Sequence, residues 1–134
     1  MGLDIYFHKC KVAEWDAYQK EMEAENAPEF NPEEIGYFRK VNFLMQEFAY
    51  YGNCEYRDIT REELETLQDK CTRLVACQDA ELAKSLLPTS SGFFFGSTDY
   101  DEWYFSDVKE VLNWVNGVLD ALEDDEVVLM YCWW

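Results

Sequence analysis

The sequence predicts an α+β fold: a small antiparallel or mixed sheet packed against several helices within a single domain spanning residues 1–134. Three observations predict it. Leu3–His8 alternates apolar with polar residues, and Val127–Trp134 (VVLMYCWW) is a β-branched and aromatic run, so both read as strands. Long stretches between them carry apolar residues at helical spacing. The 134 residues, 49% hydrophobic and 17% aromatic, match one domain with ample core material. A lone strand leaves its backbone groups unpaired, so the terminal strands are expected in one sheet, joined by Cys54–Asp58.

In chain order, Val12–Ala27 is acidic and helix-prone, with a narrow stripe of Trp15, Tyr18 and Met22, and Pro28 and Pro32 end it. Glu33–Tyr51 reads as a helix. Ile35, Phe38, Asn42, Met45 and Ala49 recur at steps of three and four, and Val41, Leu44 and Phe48 widen the face. Gly36 is an early weak point in that helix. Tyr51-Gly52-Asn53 is a turn and Cys54–Ile59 a short strand. Thr60 and Glu63 form a capping box at the head of a helix over 61–76, whose face is Leu64, Leu67, Cys71 and Leu74. A shorter helix covers Asp79–Leu87 and stops at Pro88. Phe93-Phe94-Phe95, bounded by Gly92 and Gly96, reads as a brief buried strand. Ser106 or Asp107 caps a helix over 107–122, with Val108, Val111, Leu112, Val115, Leu119 and Leu122 on one side. Glu123–Glu126 is an acidic turn. No repeat, low-complexity tract or linker divides the chain.

Leu86–Ser106 is the stretch that periodicity does not explain. Ser97-Thr98-Asp99 has short polar side chains that bond nearby backbone. Tyr100, Trp103, Tyr104 and Phe105 follow, interleaved with Asp99, Asp101 and Glu102. No single period buries all four rings, so part of this aromatic surface is expected to stay accessible. The stretch reads either as a core-covering loop plugged by rings or as a site with carboxylates beside rings. Asn42 lies on an apolar stripe and needs a hydrogen-bond partner, which a loop crossing the helix would supply. Tyr37 and Arg39 lie beside it, and Arg39 is one of few cations able to offset Asp99 and Asp101. The expectation is therefore that a helix bearing Tyr37, Arg39 and Asn42 packs against Ser97–Tyr104. The candidate binding residues are those three together with Ser97, Thr98, Asp99, Tyr100, Asp101, Trp103 and Tyr104.

Charge narrows the function. The net charge of −17 argues against nucleic acid or an anionic membrane as a direct partner and favours a protein with a basic surface. From Ser85 onward ten acids face one base, Lys109, a net of −9; the longer stretch before it holds eighteen acids and ten bases, a net of −8. A solubilising surface accounts for such a bias as readily as a site does. The five cysteines (Cys10, Cys54, Cys71, Cys77, Cys132) are odd in number and form no C-x-x-C pair, which fits reduced thiols in the cytoplasm. No apolar run approaches the ~20 residues of a membrane helix. MGLDIYFHKC lacks the basic-then-apolar order of a signal peptide, and Tyr6 stands where a myristoylation motif wants Ser or Thr.

Catalytic signatures are sparse. A nucleophilic dyad would have to use His8, the only histidine, and there is no G-x-S-x-G. Gly92 and Gly96 enclose phenylalanines and lack the G-K-[ST] ending of a phosphate loop. Asp99, Asp101 and Glu102 offer acid/base or cation chemistry in a spacing that matches no EF-hand. The expectation is no cofactor and no metal. The preferred function is a protein- or ligand-binding module using the 92–105 loop, with a small carboxylate enzyme as one alternative. A DNA-mimic inhibitor is another. A domain about 35 Å across faces about 20 phosphate charges on duplex DNA. Twenty-eight acids diluted by eleven bases fall short of that on any one face.

With GYFRKVN (Gly36–Asn42) and LLPTSSGFFFGSTDYDEWYFSD in view, the chain resembles a group of small phage and prophage proteins over most of its length. Those open on a similar Met-Gly-Leu-Asp stretch and carry GYWRK-like and LLPTxSGFFFGSTxYD-like motifs. The second motif is long enough to be specific. The group has no established function, so the resemblance implies an origin in a bacterial phage or mobile element and no activity. Phe38 stands where tryptophan is common in that group.

Overall fold

Two strands far apart in sequence pair along their whole length. A computed structural model describes residues 2–25, 29–92 and 95–134. In it β1 (Asp4–Lys11) lies antiparallel to β4 (Glu126–Trp133), in register from Asp4 opposite Trp133 to Lys11 opposite Glu126. β2 (Glu33–Arg39) pairs with the other side of β1, and β3 (Tyr56–Ile59) with the other side of β4. The order is β2-β1-β4-β3, antiparallel throughout. With α1 (Val12–Glu23), α2 (Phe43–Glu47), α3 (Arg61–Ala76), α4 (Ala80–Leu86) and α5 (Glu102–Ala121), the architecture is α+β.

The period-2 alternation of the strands sorts the sheet into two faces. Ile5 and Phe7, with Val128, Met130 and Cys132, point to the main core, where Leu64, Leu67, Cys71 and Leu74 of α3 and Val108, Val111 and Val115 of α5 cover them. The opposite face is half covered by α1, whose Trp15 packs with Cys10 and Leu129 beside Tyr18, Phe30 and Tyr56. On that outer face the register aligns Tyr37, Tyr6, Tyr131 and Tyr56 in one row across all four strands.

Helix ends follow local chemistry. Thr60 Oγ1 accepts from Glu63 N–H at 3.1 Å while Glu63 Oε1 accepts from Thr60 N–H at 3.1 Å, the reciprocal box that the sequence predicts. Asp79 caps α4 through the N–H groups of Glu81 and Leu82. α5 starts at Glu102 rather than near 107, because Asp101 accepts from the N–H groups of Trp103 and Tyr104, both at 3.1 Å.

The one large correction concerns residues 33–51. In place of a helix, the structure has strand β2, a bend at Lys40 with φ of 59°, and five-residue α2. Ile35, Tyr37 and Phe38 are strand-favouring residues, and β1 needs a second neighbour to satisfy its backbone; pairing overrides the helical spacing. The site triad Tyr37, Arg39 and Asn42 is therefore on a strand and the turn after it. Gly36 lies where α5 crosses β2: a Cβ there would come within 2.4 Å of Trp114 Nε1, which donates to Ile35 C=O at 2.8 Å. The expected strand at 93–95 falls mostly outside the described residues; Phe95 is buried but in no strand. The helix expected over 12–27 ends at Glu23, and positions 26–28 also lie outside the described residues. Among the described residues no helix is long and apolar enough to cross a membrane. Cys10, Cys71 and Cys132 are buried, Cys54 and Cys77 exposed, and all are unpaired.

Candidate functional site

Asn42 is the one buried polar side chain among the described residues, and it holds the 88–101 loop by both limbs. Its Nδ2 donates to Phe95 C=O at 3.1 Å and to Ser97 C=O at 2.9 Å; its Oδ1 accepts from Ser90 N–H at 3.0 Å. The loop carries further ties of its own. Thr89 N–H donates to the Tyr100 hydroxyl at 3.0 Å, Thr89 Oγ1 to Thr98 C=O at 3.1 Å, and Asp99 N–H to Ser97 Oγ at 3.0 Å. The Tyr104 hydroxyl donates to Leu87 C=O at 2.7 Å, and its buried ring lies edge-on to Phe43 and Tyr100. Gly96 takes φ of 91°, where a side chain is strained, and a Cβ there would sit 3.1 Å from Lys40 Cβ. Backbone thus closes onto the lysine stem.

The product is a cleft of about 180 Å³ between the end of β2 and the start of α5. Arg39 and Lys40 line it. So do Asp99, Asp101 and Trp103, with Asp107 one turn beyond Trp103 along α5. Trp103 is 72% exposed although it stands on the first turn of a capped helix. Asp101 is occupied by capping. Asp107 makes no ion pair among the described residues, and burial, with Glu110 and Asp101 nearby, pushes its carboxyl up to about 6.

Most of the predicted residues therefore converge. Asn42, Ser97, Asp99, Asp101, Trp103 and Tyr104 line the cleft together with Arg39, while Thr98 and Tyr100 brace its loop from behind. Tyr37 does not belong: it lies on the outer sheet face, its hydroxyl donating to Asp4 and its ring 5.0 Å from Tyr6. Nor does Arg39 pair with Asp99 or Asp101; among the described residues it forms no ion pair. As a strand residue it projects on the face opposite Phe38, and its guanidinium runs beside Gly2, where a Cβ would lie 3.2 Å from Nη2. Lys40 and Asp107 are the residues that sequence reasoning missed. The signal for Asp107 was present: Asp101 is the better cap, and an acid one turn beyond Trp103 is free to face the cleft.

No protein-family model, curated protein or solved structure matches the chain. The chemistry of the cleft has to be read from its own residues. It contains no histidine or cysteine; His8 lies on the outer sheet face between Tyr6 and Tyr56, where burial lowers its pKa and Nδ1 has no hydrogen-bond partner among the described residues. Among the described residues no three His, Cys, Asp or Glu side chains gather as a metal site. At about 180 Å³ the cleft is below the ~300–1,000 Å³ of sites that enclose a small molecule. It is suited to one inserted side chain. Trp103 and the half-buried Asp107 offer a cation an indole and a carboxylate, in a cleft that Asp99, Asp101, Arg39 and Lys40 also line.

Proposed function

We propose that the chain is a protein-binding module whose cleft receives a Lys or Arg side chain from a basic surface of its partner. The observation that carries this reading is Trp103, 72% exposed on a rigid, capped helix turn and set beside the unpaired Asp107. Tryptophan is one of the side chains enriched as energetic anchors in interfaces. Asp107, raised to about 6, gains when a cation compensates it. The net charge of −17 steers a basic partner towards the surface. With the resemblance to phage proteins, the partner is a host or phage protein in the bacterial cytoplasm.

The test is affinity capture from a bacterial lysate with three immobilised proteins: the natural chain, Trp103→Ala and Asp107→Asn. A stoichiometric protein captured by the first and lost from both variants, with melting temperatures within a few degrees, is the expected result. A partner held equally by all three, or capture of nucleic acid alone, would overturn the assignment.

A further inference from the structure

The two edges of the sheet differ in what they offer. At β3 the edge is four residues long, and Arg57 donates to Asp58 C=O at 2.9 Å beside it. At β2 it is seven residues long and, among the described residues, has a strand neighbour on one side only. One bond tells which main-chain groups of β2 are free. Lys40 N–H donates to Leu3 C=O at 2.8 Å, so by antiparallel alternation Phe38 and Gly36 also turn their groups to β1. Tyr37 and Arg39 turn theirs outward. The Tyr37 ring leaves them open to approach: it leans over β1, with its hydroxyl on Asp4 and its ring beside Tyr6.

Charge along this edge is ordered. Glu33–Lys40 (EEIGYFRK) has two acids at one end and two bases at the other, a neutral stretch in a chain of −17. A uniformly basic segment would set like charge against Arg39 and Lys40, and a uniformly acidic one against Glu33 and Glu34. A strand of the same sequence, run antiparallel, meets opposite charge at both ends. The register makes the match specific. Arg39 lies opposite Asp4, Tyr37 opposite Tyr6 and Glu34 opposite His8, because the irregularity after Phe7 leaves out Ile35. Arg39 and Glu34 are therefore each two ladder steps from Tyr37, on the same face as it, and exposed. A two-fold axis at Tyr37 sets Arg39 of each copy directly across from Glu34 of the other. Within one chain Arg39 forms no ion pair among the described residues.

We infer that two copies of the chain join antiparallel along β2, with a two-fold axis at Tyr37, into one continuous sheet. Tyr37 N–H and C=O bond their counterparts across the axis, and an Arg39–Glu34 pair closes each side. The tyrosine rows of the two outer faces then run end to end. On the helix side, Ile35, Trp114, Gly117 and Ala121 line a groove of about 340 Å³ beside the edge, and the copy's Arg39–Lys40 end passes next to it. A Cβ at Gly117 meets nothing within 4 Å, so this flank of α5 is open to a neighbour. Arg39 also lines the Trp103 cleft, and pairing with the copy draws off one of the two cations there.

Sedimentation equilibrium of the natural chain over a concentration series, at physiological salt, reads the association. The mass is expected to rise with concentration from that of one chain to that of two, and amide exchange at Tyr37 and Arg39 to slow in step. Glu34→Arg alone and Arg39→Glu alone each turn both cross-strand attractions into repulsions, and each should weaken the dimer at least tenfold. Mixed in equal amounts, the two variants should recover it, because each then meets its opposite; damage to the fold by either substitution gives no such recovery. Trp103→Ala should dimerise like the natural chain, whatever lysate capture shows. A monomer throughout, a dimer indifferent to both reversals, no recovery on mixing, or loss of the dimer in Trp103→Ala would each overturn the inference.

Discussion

Replacing Asn42 with alanine isolates how the loop is held. Asn42 occupies the N-cap position of α2 but its side chain makes no capping bond there, so the substitution removes the loop contacts and not a helix cap. Three hydrogen bonds disappear. Phe95 C=O is buried and Ser90 N–H half-buried, and each left unpaired costs about 1–3 kcal/mol; exposed Ser97 C=O is rehydrated at little cost. Water reaching the loosened loop offsets part of this, and about 2–4 kcal/mol of lost stability is expected. For 134 residues, with an unfolding entropy of about 2.1 cal/mol/K per residue, that lowers Tm by about 7–14 °C. Asn42→Asp sharpens the experiment, since a carboxylate keeps the Ser90 bond but opposes the two carbonyls. It should be less stable than Asn42→Ala at pH 7 and recover below about pH 4, where a protonated acid again donates. Urea unfolding at pH 3.5–8 measures both. A cost below about 1 kcal/mol for alanine, or indistinguishable pH profiles for the two variants, would refute the account.

Three further outcomes follow from single contacts. Asp107 has its folded pKa raised from 3.8 to about 6, so the folded state holds the proton more tightly, and stability falls as pH rises through that window. Asp107→Asn should therefore stabilise at pH 7–8, by on the order of 1 kcal/mol once half-exposure is discounted, with the gain gone by pH 4 in urea titrations. Gly117→Ala adds a methyl group into open space within a helix and should raise stability by about 1 kcal/mol, read as a Tm increase in calorimetry. Gly36→Ala pushes Trp114 off Ile35 C=O and should cost about 2–3 kcal/mol, with a change in tryptophan fluorescence reporting the displaced indole.

Much of the fold was legible because several elements carry their own signals. The capping box at Thr60 and the apolar face behind it mark α3 with no help from the rest of the chain. The run at 127–133 has too many β-branched and aromatic residues to be surface helix. Residues 33–51 misled for a physical reason: Ile35, Phe38, Asn42 and Met45 fit helical steps, yet the choice is made by β1, a strand with two edges to satisfy. Asn42 illustrates the opposite case. The helix assumed for it was wrong, but the demand of a buried amide for partners does not depend on the element that carries it, and the loop was found where that demand pointed. The pairing expected of Arg39 failed because strand geometry turns its side chain towards Gly2.

The placing of β4 governs how the chain comes to be folded as it is made. Two of the sheet's three pairings, β1 with β4 and β3 with β4, involve the strand that is synthesised last. Until Trp133 has cleared the ribosome, β1 has only β2 to pair with, and β3 has no strand partner. Assembly of the sheet is thus deferred until the last of the four strands has emerged, and its long-range closure belongs to the slow, high-contact-order class. The same pairing sets Asp4 beside Trp133, so a short linker can join the start of β1 to the end of β4. A circular permutant opened in the 77–79 connection would make β4 and β1 neighbours in synthesis, and should fold faster than the natural order without any new contact.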